Sequence, residues 1–169
     1  MACSQTLKGI AMDCETSLGG IRRVYIAPYA GVTPAIDETA GTVTGLTGEW
    51  KCYEFRKQTG SMTSTLTVDE TAGVNYVSTE VVLTFTKMDT PKRIEMSALA
   101  LAQVAVVVED SNGKYWFLGA DDYVSASAGG ANTGTAKGDS NNYTITLKDE
   151  SDTFPYEVVG TAITTVTGK

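Results

Sequence analysis

The chain has 169 residues, the length of one ordinary domain, and 42% of them are apolar, so it can bury a core and is not a disordered polypeptide. A formal net charge of −7 excludes a protein built to grip nucleic acid, since such proteins need Lys/Arg stripes that release counterions from phosphates. The absence of His removes Ser-His-Asp and Cys-His catalysis and the commonest metal ligand.

The basic pairs Arg22-Arg23, Arg56-Lys57 and Lys92-Arg93 are short, mixed with acids, and read as solvated strand ends and helix termini. Cys3, Cys14 and Cys52 cannot all pair within one chain. Residues 1–20 carry Lys8, Asp13 and Glu15 in place of a secretory apolar run. Free thiols and synthesis in a reducing cytoplasm are therefore expected. The longest apolar window, Ile94 to Val108, contains Glu95 and Gln103 and is too short to span a bilayer. Asn142-Tyr143-Thr144 matches a glycosylation sequon but reads as a turn entering a strand.

Abundant Thr and Val favour pleated, half-buried strands, and a mainly β chain with one helix is expected. Taken in order, residues 1–20 lack a sustained period and read as an extended arm ordered by contacts. Ile21 to Ala27 is a strand stopped by Pro28. Residues 29–48, rich in Gly, Pro, Thr and Ala, read as a long docking loop with a short strand at Thr42 to Leu46. Glu49 to Phe55 is a strand, with Trp50, Cys52 and Glu54 on one side, and Gln58-Thr59-Gly60 breaks it.

The most regular pattern follows. Met62, Ser64, Leu66 and Val68 alternate with Ser61, Thr63, Thr65, Thr67 and Asp69. After a turn at 70–75, Thr79, Val81, Leu83 and Phe85 alternate with Ser78, Glu80, Thr84 and Thr86. This is a hairpin with one dry and one wet face, whose second arm, Tyr76 to Lys87, runs roughly 40 Å, about twice a typical strand. Met62, Leu66, Val68, Val81, Leu83 and Phe85 make its expected dry set.

Thr90-Pro91 opens a helix, with Thr90 as N-cap, Pro91 at the first helical position and Ile94, Ala98, Leu101 and Ala102 on the buried stripe, ending near Gln103. Val104 to Val108 turns β-branched, Asn112-Gly113 predicts a type I′ hairpin turn, and Tyr115 to Leu118 is the partner strand. Residues 126–139 read as a small-residue loop, Tyr143 to Leu147 and Pro155 to Val159 as strands, and the segment from Thr161 as a fraying tail.

Catalytic, cofactor and metal sites are all expected to be absent. No Walker A or dinucleotide-binding glycine pattern exists, and the cysteines are too scattered for a CxxC site. Asp110-Ser111-Asn112-Gly113 lacks the later bidentate Glu of a calcium loop and reads as a turn. Asp121-Asp122 reads as a solvated loop, with a cation shared between chains as the alternative. Trp50, Trp116 and Phe117 are better placed in a core than in a sugar cleft.

One ordered set of features carries a resemblance. Val104 to Glu109 leads into the Asn112-Gly113 turn, the aromatic strand Tyr115-Trp116-Phe117-Leu118 and Gly119-Ala120-Asp121-Asp122. Next come Thr133-Gly134-Thr135-Ala136-Lys137-Gly138-Asp139, the strand Tyr143-Thr144-Ile145-Thr146-Leu147, an acidic patch and Phe154-Pro155-Tyr156. This order resembles the C-terminal half of the tail tube (major tail) proteins of long-tailed bacteriophages, while residues 1–60 carry no matching signature. The resemblance implies one domain over residues 1–169, a β-sandwich or barrel with a long hairpin and one flanking helix. It implies a structural virion protein of the tail, made in the host cytoplasm. The implied assembly is a ring of six copies, with rings stacked around a channel through which DNA would pass without specific binding. Tape-measure and terminator proteins are the implied further partners, with no membrane involved. The lumen-facing set is then Thr63, Thr65, Thr67, Asp69, Ser78, Glu80, Thr84 and Thr86. The alternative is a β-sandwich module for surface binding or adhesion; a small carboxylate hydrolase stands third.

Overall fold

A computed structural model describes residues 6–169. Strands β1 (Ile21–Pro28), β2 (Ala35–Asp37), β3 (Thr42–Gly45), β4 (Lys51–Glu54), β5 (Ser61–Asp69) and β6 (Val74–Thr86) come first. Helix α1 (Thr90–Leu101) follows, then β7 (Val104–Asp110), β8 (Tyr115–Leu118), β9 (Ser125–Asn132), β10 (Asn142–Ser151), β11 (Tyr156–Val158) and helix α2 (Thr161–Thr167). The chain is mainly β, with 45% strand and 13% helix, arranged as two sheets.

The large sheet has the order β2-β3-β11-β8-β7-β1-β4, and the small sheet the order β5-β6-β10-β9, antiparallel throughout. In the large sheet only β11 against β3 is parallel. Strand β7 explains why the molecule has layers. Val104, Val106 and Val108 point into the core between the sheets, with Val24, Ile26 and Leu118 beside them and Val81, Leu83, Ile145 and Leu147 opposite. Ala105 and Val107 point the other way, into a second core with Tyr25, Val43 and Phe117 that is closed by Ala162 and Val166 of α2. A strand apolar at every position must be covered on both faces, and here it is.

Several local expectations are corrected. The N-cap of α1 is Asp89, whose carboxylate accepts from the Lys92 amide at 3.0 Å; Thr90 and Pro91 open the first turn. The buried face of α1 is Met96 and Leu99, with Ala102 just beyond its end, whereas Ile94 and Leu101 are 58% and 91% exposed. Both stripes satisfy the three-to-four spacing, so sequence alone left the helix rotation undecided. The Tyr53 hydroxyl donates to Glu95 and fixes that rotation against β4.

The β7–β8 hairpin forms, but not through a type I′ turn. Gly113 has φ 81 and its amide donates to the Asp110 carbonyl, and Asn112 has no positive φ. This is a type I turn followed by a left-handed glycine. The Asp110 carboxylate holds it, accepting from the Asn112 and Lys114 amides and from the Trp116 indole.

Within residues 29–48 the expected short strand forms as β3, while the rest, expected as loop, adds a 3-10 turn at Tyr29–Gly31 and strand β2, with Val43 and Leu46 buried. Much of 126–139, expected as a loop, is β9: its Ala and Gly residues have weak strand propensity, and pairing with β10 overrides it. The expected fraying tail is α2, held by two buried side chains. Pro28 lies within β1, paired with Val104.

The long hairpin β5–β6 is as expected, but its dry face is dry only near the base. Val81 and Leu83 are fully buried and Met62 and Phe85 pack against the core, while Leu66 and Val68 are 50% and 56% exposed. The tip simply extends past the large sheet. Leu83→Ala should therefore lower unfolding free energy by about 2–5 kcal/mol, against less than about 1 kcal/mol for Leu66→Ala. Urea unfolding of the two variants measures this, and equal losses would mean that tip and base are packed alike.

Candidate functional site

The small sheet turns a polar face away from the rest of the molecule. Cross-strand register puts Thr63 opposite Glu80, Thr65 opposite Ser78 and Thr67 opposite Tyr76, while Thr84 and Thr86 pair with Thr144 and Asn142. All eight expected channel residues, Thr63, Thr65, Thr67, Asp69, Ser78, Glu80, Thr84 and Thr86, thus share one face. That follows from period-two alternation in an unbroken antiparallel register.

The structure adds residues that hairpin reading missed. Strand β10 contributes Thr144, Thr146, Lys148 and Glu150 to the same face, and Val82 from β6 also lies there. Lys148 pairs with Glu150 at 2.8 Å and sits opposite Glu80, so the face carries one cation held among acids. The hydrogen bond to Glu150 raises the Lys148 pKa and keeps its charge committed locally. Continuing the alternation of Tyr143 to Leu147 through residues 148–150 would have found these positions. Asp149 hid them, because it places a carboxylate at an inward position.

Asp149 is 5% exposed and pairs across to Thr79, itself buried and bonded to Ser64 at 2.8 Å. One Asp149 oxygen has no hydrogen-bond partner among the described protein atoms. Burial pushes its carboxyl up to about 6; the Gly119 amide opposes this, and Asp121 and Asp122 reinforce it. Asp121 accepts from the Asp152 amide at 2.9 Å, and the Asp121 carboxylate raises the Asp152 pKa. No group of three or more Cys, Asp or Glu placed to hold a metal ion occurs among the described residues.

The loop between β9 and β10 is tightly built. The Asp139 carboxylate accepts from the Thr135 and Ala136 amides, which lower its pKa. Gly134 has φ 69, and a Cβ there would meet Asp139 at 2.4 Å. Asn141 then ties the start of β10 to the approach to α1, accepting from the Lys87 and Met88 amides.

Two further surfaces are uncovered. Residues 6–20 have no regular structure and are exposed throughout, with Leu7, Ile10 and Met12 almost wholly bare. Asn112 anchors the base of this arm, accepting from the Leu18 amide and donating to the Leu18 carbonyl. The outward stripe Ile94, Ala98 and Leu101 of α1 is the second. Cys14 and Cys52 are free and exposed; Cys3 and the start of the expected arm lie outside the described residues. Among the described residues no helix is long and apolar enough to cross a membrane.

No family model matches this chain, and no curated protein or solved structure matches it significantly.

Asp149 supplies a pH signature. Because its folded pKa lies above the ordinary carboxyl value, its contribution to stability is fully present at low pH and is lost as pH rises through about 6. The span is on the order of 3 kcal/mol. Wild type should gain stability relative to Asp149→Asn as pH falls from about 7 toward about 4, as read by urea midpoints at constant ionic strength. Parallel pH profiles would show that Asp149 is solvated.

Proposed function

We propose that this chain is the repeating structural subunit of a phage-type tail tube, assembling into rings that stack around a channel. The observation that carries the reading is the pair of hydrogen-bond-unpaired edges on the small sheet, β5 and β9, with α1 lying against β9. Edge strand β5 reads Ser-Met-Thr-Ser-Thr-Leu-Thr-Val-Asp and β9 reads Ser-Ala-Ser-Ala-Gly-Gly-Ala-Asn, with no Pro, Lys or Arg in either. Soluble monomers ordinarily protect such edges with charge, proline or cover. These two have similar lengths of 9 and 8 residues and run in opposite directions. Pairing β5 of one copy with β9 of the next therefore continues the antiparallel pattern, and a head-to-tail contact of this kind closes into a ring.

Six copies, the number the tail tube resemblance implies, give a barrel of ~24 strands with a backbone diameter of roughly 50 Å at ordinary strand spacing and tilt. Such a channel admits a nucleic-acid duplex. The polar face then lines the lumen, rich in Thr and acids, with its Lys148 already paired, so DNA slides past without being held. The large sheet and α2 lie outside. The exposed arm, the hairpin tip and the outer stripe of α1 are the apolar surfaces that neighbours would cover.

Electron microscopy and light scattering of the purified chain test this directly: rings and tubes are expected with rising concentration, and a monomer at millimolar concentration would overturn the reading. The lumen assignment has its own test in a background with the three cysteines replaced by Ser. Thr65→Cys should lose maleimide reactivity on assembly while Thr164→Cys, on the exposed side of α2, keeps it. Equal reactivity at both positions in tubes would place the polar face elsewhere.

A further inference from the structure

The fold joins two basic pairs that are far apart in sequence. Arg22 and Arg23 at the start of β1 and Arg56 and Lys57 after β4 line one groove of about 650 Å³, with Glu109 and Ser111 beside them. Arg23 is neutralised by Glu54 at 3.3 Å and Glu109 at 3.6 Å. Arg22, Arg56 and Lys57 have no carboxylate within 4.0 Å among the described residues. In a chain of net charge −7, a groove lined by four of the 13 Lys and Arg residues is a local inversion of sign.

The opposite feature lies at the other end of β7. Asp121 and Asp122 follow β8 beside the Val104–Val124 bridge, and Asp152 and the buried Asp149 join them from the end of β10. None of these four carboxylates has a cation within 4.0 Å among the described residues. Backbone amides of Asp152, Tyr123 and Gly119 donate to Asp121, Asp122 and Asp149, but no positive charge of the described residues offsets their mutual repulsion. Groove and acidic loops are separated by the length of β7, roughly 20 Å. They cannot meet within one molecule, but two molecules placed head to tail bring them together.

We propose that the basic groove receives the acidic Asp121–Asp122 and Asp152 loops of a second copy of this chain, and that this contact stacks one ring on the next. The inference rests on the tube reading and assigns its axial contact. Side-to-side closure uses strand edges and axial stacking uses charge, so the two steps respond differently to salt. Paired charges repeated around a ring act together, and screening at about 1 M salt, where the Debye length is near 3 Å, should release rings from tubes while leaving the rings intact.

A charge-swap experiment tests it. One variant carries Arg56→Glu and Lys57→Glu, the other Asp122→Lys and Asp152→Lys; all four positions are exposed, and thermal unfolding checks that each variant folds. Each variant alone places like charges on both sides of the contact and should form rings with at least tenfold less tube than wild type, by sedimentation and electron microscopy. Mixing the two variant rings in equal amounts makes groove and loop complementary again and should restore tubes. Either variant stacking alone as wild type does, or a mixture that stays as rings, would overturn the proposal while leaving ring formation standing; the first outcome would free the groove for a different tail protein. A wild-type chain that never forms rings would overturn the tube reading and this contact with it.

Discussion

Everything in this molecule follows from one strand that cannot face water. β7 runs Val104-Ala105-Val106-Val107-Val108 with every residue buried, so the large sheet needs cover on both sides. The small sheet and α1 cover one face, and α2 with the turn at Tyr29–Gly31 covers the other. Burying a strand this completely is favourable at ~25 cal/mol per Å² of apolar surface, and it fixes the order of layers. The small sheet is thereby held with its apolar face inward and its Thr-rich face outward.

That orientation separates two tasks within one sheet. The inward face contributes Val81, Leu83, Ile145 and Leu147 to the core and makes the sheet rigid. The outward face bears no structural duty, so its composition is free to suit a passing ligand or solvent. Its two edge strands have no hydrogen-bonded neighbour within the chain, although α1 lies against β9, and neither carries Pro, Lys or Arg. Asp149 is the exception in the inner face: a carboxyl between sheets whose pKa burial and neighbouring acids raise to about 6, so the junction of β10 with the Gly119 turn gains stability on mild acidification.

The sequence disclosed whatever depended on local periodicity. The alternation from Ser61 to Thr86 fixed the hairpin and the sidedness of Thr63 through Thr86, since a one-residue slip would turn Val81 and Leu83 to solvent and Glu80 and Thr84 inward. Thr90-Pro91 marked the start of α1 to within a residue of its N-cap Asp89, and Asn112-Gly113 marked a hairpin although its turn type was misjudged. β9 was illegible because Ser-Ala-Ser-Ala-Gly-Gly has neither apolar alternation nor β-branching, and it becomes a strand only by pairing with β10. α2 was hidden for a related reason. Ile163, Thr164, Thr165, Val166 and Thr167 are β-branched and favour strands, yet Ala162 and Val166 seal the second core as a helix.

What the sequence determined alone was therefore the class: a mainly β domain with a long two-faced hairpin and one well-marked helix, because alternation and capping act between residues near in the chain. The tertiary structure decided which side of α1 is buried, where the hairpin outruns its cover, and which charges share a surface. Those are properties of residues brought together from distant positions. Arg22-Arg23 and Arg56-Lys57 look like two ordinary solvated pairs until β1 and β4 lie side by side, and only then do they form one groove.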